Sequence, residues 1–308
     1  MCCFSGPVKS VTDTNLFARM TGKGTQMLAY QMKFESLEEN AMILPLPVAT
    51  PARENSLRFI SLKAYDNFFQ DLDRAFPVIH PPQGLRTDSL VESVPESLAV
   101  IEVQEVGDFV ASFVPTMDDF SRLDPRFVIP KSSWDKIPQY ADYGFAVFQL
   151  KQLRGEPHPM AFEFKTRLRD ELFFPTIHIH DGEVHKREHF DHTLYLQNPE
   201  FDKVVGRYKN EAAKDRRTGF VRSRGVARNY CKTSKTSGIV ESDLLLHRIE
   251  MRGKYANKDV IAPLAVSGGT TSGVRLSHML PIAPAVAAAG GLGWLINRRN
   301  TIRKNSHS

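Results

Sequence analysis

The stretch PTIHIHDGEVHKREHFDHTLYLQ, Pro175 to Gln197, decides how this chain is read, because it joins a strong turn signal to five of the ten histidines. These are His178, His180, His185, His189 and His192. Asp181-Gly182 is a dipeptide favoured in two-residue hairpins, where a type I′ turn needs positive φ at both central positions. Pairing outward from that turn sets His180 opposite Glu183, Ile179 opposite Val184 and His178 opposite His185. Side chains alternate between faces along a strand, so His178, His180, Glu183 and His185 share one face while Ile179 and Val184 face a core. The alternating run FDHTLYLQ then completes the predicted hairpin.

Three imidazoles and a carboxylate on adjoining positions match the ligand set of a divalent zinc, iron or manganese ion. His189 and His192 are left to replace a ligand or support one, and Asp191 to orient a ligand imidazole. An open coordination position would permit Lewis-acid or oxygen chemistry, whereas a fourth tight ligand would make the site structural. The competing reading is a solvated, pH-responsive face, since protons compete for the same rings below about pH 6.5.

Working outward, strands are predicted at Leu16–Ala18, Gln26–Phe34, Ala41–Val48 and Leu57–Leu62. Pro45 and Pro47 lack amide donors two residues apart, which marks Ala41–Val48 as an edge strand or one that ends there. Phe68, Phe69, Leu72 and Phe76 have the spacing of one helical face. Residues 77–97 carry four prolines and read as a connection. Strands resume at Leu98 and Asp108, short helices follow near Met117–Leu123 and Ser132–Tyr140, and Phe145, Met160–Lys165 and Phe173–His180 mark further strands. The expected fold class is α+β, predominantly antiparallel β-sheet with a few short helices. It divides into a strand-rich domain over 1–200, a basic loop or arm over 201–238, a returning strand region over 239–265 and a flexible, weakly hydrophobic tail over 266–308.

The net charge of +5 is unevenly spread. Eleven Lys and Arg face only Glu211 and Asp215 between Lys203 and Thr236, a local balance of +9 that leaves the remainder at −4. With Tyr208, Phe220 and Tyr230 interleaved, residues 203–236 suit an acidic protein or a nucleic acid as partner. Three cysteines make no disulfide framework, which fits a reducing, cytoplasmic setting. No secretory signal opens the chain. Residues 279–296 form an uncharged stretch followed by Arg298, Arg299, Arg303 and Lys304, and give a weak membrane association as the alternative location.

The order of AMILPLPV at Ala41, AFP at Ala75, VIEVQEVGDFVASFV at Val100, YADYGFAVFQLK at Tyr140 and HPMAFEF at His158 resembles a bacterial family of uncharacterised proteins, domain of unknown function 2330. The resemblance spans about residues 24–180 and implies an architecture without a catalytic residue. Members commonly look exported and tethered to a membrane at the carboxyl end, so it also implies a use for the tail. Three functions therefore compete. The first is a protein with a histidine-rich metal site on the hairpin. The second is a non-enzymatic scaffold or interaction protein whose basic arm binds an acidic partner. The third is an amino-terminal cysteine hydrolase, in which loss of Met1 leaves Cys2 as nucleophile with its own α-amine as base. Cys3-Phe4 departs from the glycine that follows the nucleophile in many amidotransferases. Whether the chain is an enzyme stays open.

Overall fold

A computed structural model describes residues 2–77, 104–106, 108–206 and 214–265. Its strands, in chain order, are β1 (Cys2–Phe4), β2 (Val8–Met20), β3 (Thr25–Ser36), β4 (Ala41–Leu46), β5 (Leu57–Ser61), β6 (Gln104–Val106), β7 (Phe109–Val114), β8 (Gly144–Leu150), β9 (Arg154–Gly155), β10 (Met160–Lys165), β11 (Glu171–Phe174), β12 (His178–Ile179), β13 (Arg187–Gln197), β14 (Val221–Val226), β15 (Leu245–Ala256) and β16 (Val260–Pro263). Three short α-helices accompany them: α1 (Phe68–Asp73), α2 (Lys131–Trp134) and α3 (Pro199–Val204). Among the described residues 44% are strand and 16% helix, 3₁₀ turns included, so the described part of the chain is mostly β.

Two sheets dominate. One has the order β12-β1-β4-β8-β7-β6; the other runs β14-β15-β13-β2-β3-β10-β5, with β9 added beside β3. Most ladders are antiparallel, but β1 runs parallel to β12 and β2 parallel to β13. Alternation along the strands explains how the sheets stack. Leu28, Tyr30 and Met32 of β3 join Met42 and Leu44 of β4 and Phe148 of β8 in one core between the sheets. The opposite face of the larger sheet, with Phe17, Ala29 and Tyr195, is covered by Phe68, Phe69 and Leu72 of α1 and by Cys231, Ile239 and Val240. The outer face of the smaller sheet, with Ile43, Phe145 and Val147, lies under Phe120, Phe127, Trp134 and Ile137. Strands buried on both faces need no polar alternation, which is why AMILPL reads as an apolar run.

Of the two readings of Ala41–Val48 the edge does not hold, whereas the strand does end there, at Leu46 between the two prolines. β4 sits inside its sheet, between β1 and β8, and Pro45 lies opposite Phe145. On its other side the paired residues of β1 reach only Met42 and Ile43, so the missing amide of Pro45 falls beyond the short ladder. The strand expected from Leu98 begins outside the described residues and is seen only as β6. Part of the expected basic loop is folded: β14 is followed by two single 3₁₀ turns, Ala227–Asn229 and Thr233–Lys235. The tail, with 279–296, lies outside the described residues. Among the described residues no helix is long and apolar enough to cross a membrane.

Candidate functional site

The predicted hairpin does not form. β12 and β13 belong to different sheets, and β12 pairs with β1, placing His178 across from Cys2 and Ile179 across from Cys3. Gly182 has the expected positive φ of 81°, but Asp181 is not in that region, so the pair cannot make a type I′ turn. Residues 180–186 instead form a loop held by long-range bonds. The amide of Val8 donates to the His180 carbonyl, and Ser133 Oγ donates to the Gly182 carbonyl at 2.7 Å. Asn257 is the clip: its Oδ1 accepts from the His178 amide at 2.7 Å, and its Nδ2 donates to the carbonyls of His178 and His185, each at 2.9 Å.

This arrangement splits the histidines. On β12 the alternation sends Ile179 to the outer face, and His178 and then His180 toward the core between the sheets. On β13, Phe190, Leu194 and Leu196 face the same core, and His192 shares their parity. His178 and His192 therefore meet from opposite sheets. Their ring centroids are 5.1 Å apart, and His180 lies 4.8 Å from His178. Phe190 stacks on His178 at 4.6 Å and lies 4.7 Å from His192, while Phe4 flanks His180. His178 is 2% exposed and His192 1%.

Electrostatics follow burial. Removal from water disfavours the charged ring, so His178 and His192 are held far below the ordinary histidine range, with neighbouring imidazoles adding to the effect. His180 is pushed down to about 4 by the same desolvation. All three are neutral at pH 7. Both ring nitrogens of His178 and Nε2 of His180 are buried without a hydrogen-bond partner.

The other predicted ligands are elsewhere. Glu183 is exposed and paired with Lys136, and His185 is exposed with Nε2 2.9 Å from Asp181, whose carboxylate raises the imidazole pKa. His189 lies on the outward parity of β13 and is exposed, opposite Lys254. Asp191, expected to orient a ligand, accepts from the Asp13 amide and pairs with Arg252. Among the described residues no group of three or more His, Cys, Asp or Glu is arranged to hold a metal ion. Met1 lies outside the described residues, and of Cys2 the backbone alone is described.

No protein-family model matches the chain, and no curated protein matches it. Among solved structures it is similar to baculovirus P35, at 14% identity and a TM-score of 0.43 over 84% of this chain and 98% of that one. It is also similar to a mutated baculovirus P35 after caspase cleavage, at 13% identity, a TM-score of 0.42, and 82% and 99% coverage. A caspase-8/P35 complex matches at 12% identity and a TM-score of 0.38, over 81% and 95% of the chains.

Two buried polar arrangements escaped the sequence reading. Asp259 accepts from the amides of Thr176 and Ile177 and from the Tyr140 hydroxyl at 2.5 Å, and its burial pushes the carboxyl up to about 6. His247 Nε2 lies 2.7 Å from Asp202, which sits on α3. Neither has a local spacing signal, since the partners lie 119 and 45 residues apart. His192, named from sequence as a replacement or supporting ligand, falls between Phe190 and Leu194 on the apolar parity of its strand.

The basic stretch forms a second surface. β14 is the last strand of the larger sheet and pairs with β15, Val221 opposite Arg248 and Val226 opposite Leu245. Arg224 is exposed on it. Lys214 and Arg216 are exposed in the turn entering the strand, and Lys232 and Lys235 in the turns leaving it. Other basic side chains here are already occupied, as in Lys203 with Glu200, Arg217 with Asp215 and Arg228 with Asp243.

Proposed function

We propose that this chain works by binding another protein, and that the partner presents an acidic segment to the β14 end of the larger sheet. The observation that carries the reading is the folded state of the basic stretch. An edge strand offers backbone donors and acceptors to an added strand. Here it is flanked at one end by Lys214 and Arg216 and at the other by Lys232 and Lys235, four exposed cations with no ion pair among the described residues. Complementary charge of this kind sets the encounter rate and the choice of partner more than raw affinity.

The test is binding of polyglutamate, measured by fluorescence anisotropy at low and physiological salt. A variant carrying Lys214→Glu, Arg216→Glu, Lys232→Glu and Lys235→Glu is expected to bind about tenfold or more weakly, with a shallower salt dependence. Unchanged binding by that variant sinks the reading. Duplex DNA is run alongside, and a preference for it over the acidic chain would change the partner class. Caspase-8, named in one of the complexes above, serves as a folded protein probe in the same assay.

A further inference from the structure

We propose that His178, His180 and His192 form a binding site for one transition-metal ion, located between the two sheets and distinct from the basic edge. Three observations carry this. The first is spacing. Two imidazoles sharing a zinc ion, with Zn–N bonds of about 2.0–2.1 Å at a tetrahedral angle, hold their ring centroids about 5 Å apart. His178 meets this spacing with each of its two neighbours, at 4.8 Å from His180 and 5.1 Å from His192.

The second is the unmet hydrogen-bonding capacity. A neutral imidazole carries one donor and one acceptor nitrogen, and leaving such a group buried and unsatisfied is costly. His178 is 2% exposed with both nitrogens unpartnered, and the buried Nε2 of His180 beside it is also unpartnered. An ion bound through these lone pairs would offset that cost. The third is how the residues are supplied. His178 comes from the smaller sheet, His180 from the loop that follows β12 and His192 from the larger sheet, with His178 held by Asn257 and by the Phe190 ring stacked on it. Zinc and copper are among the ions that imidazole donors suit.

Loading requires the rings to turn toward a common point, because no three described side chains are arranged to hold an ion as they stand. The surface histidines lie apart from the site, which makes the test selective. The full chain, expressed without a histidine tag and stripped with chelator, is titrated with Zn²⁺ against a chromophoric competitor. One equivalent is expected to bind both the natural chain and a His185→Ala/His189→Ala variant. Binding should weaken at least tenfold in His180→Gln and in His192→Gln.

Failure to bind one equivalent overturns the proposal, as does unchanged affinity in both ring variants or loss of binding in the surface variant. Should the ring variants not fold, X-ray absorption of the zinc-loaded natural chain decides. Three imidazole nitrogens are expected around the ion, and fewer than three would overturn the site.

Discussion

Within fifteen residues one side-chain type meets two opposite environments. His178, His180 and His192 are gathered between sheets and kept neutral, whereas His185 and His189 stand in water and His185 is drawn toward its charged form by Asp181. The difference lies in parity and sheet membership rather than in spacing along the chain. β12 and β13 each send alternate residues inward, but to the two sides of one core. Spacing within a cluster is thus a poor guide when its two halves are built into different sheets.

Acid should expose this contrast most strongly. In the native chain the three inner imidazoles resist protonation, while in the unfolded chain they take up protons near pH 6.5. Below that pH the unfolded state therefore binds more protons, and stability falls as pH drops from about 6.5 toward 4 and below. Each imidazole still unprotonated in the native state contributes a slope of about 1.4 kcal/mol per pH unit. His247, held low by burial, acts in the same sense. Asp259 acts in the opposite sense: with its carboxyl at about 6 when folded against 3.8 unfolded, it favours the native state as pH falls through that window. The raised His185 also favours it on acidification. The buried imidazoles outnumber these two, so urea unfolding of the metal-free chain should show a marked loss of stability between pH 7 and 5. A flat profile would place the rings in water.

A smaller effect tests the clip that separates the two groups. Asn257→Ala removes one acceptor and the donor that serves two carbonyls at the junction of β12 with the loop. Leaving those main-chain groups without partners should cost about 1–3 kcal/mol. Denaturant unfolding measures the loss. A change below 0.5 kcal/mol would mean that the loop is held by its other bonds alone, those of Val8 and Ser133.

Legibility followed the range of the interaction. The runs QMLAYQMKF, FVASFV and MAFEFK were readable as strands because period-two alternation and β-branched or aromatic content are local, and they appear as β3, β7 and β10. The helical face of Phe68, Phe69 and Leu72 was equally local and appears in α1. What a single sequence could not show was pairing between distant segments. The two-residue β12 owes its place to Cys2 and Cys3, more than 170 residues away, and β13 owes its place to β2. Local turn chemistry at Asp181-Gly182 pointed to a hairpin, and these long-range ladders overrode it. Of the candidate site, the stretch and the three inner residues His178, His180 and His192 were singled out from sequence, but the grouping was not: His178 and His180 were set on one hairpin face with Glu183 and His185, whereas His192 meets them from the other sheet.

The smallest expected effect is the one that sharpens the contrast most cleanly. His185→Ala together with His189→Ala removes two exposed rings, one of them in an ion pair with Asp181 in which both side chains are about half exposed. Exposed pairs of this kind are worth at most about 1 kcal/mol and many contribute nothing measurable, so unfolding at pH 7 should shift by less than about 0.5 kcal/mol. The acid slope should also persist, because it arises from rings this variant leaves in place. A large loss of stability at neutral pH, or disappearance of the acid slope, would reverse the assignment of the two groups and show that the outer histidines, not those between the sheets, organise this part of the molecule.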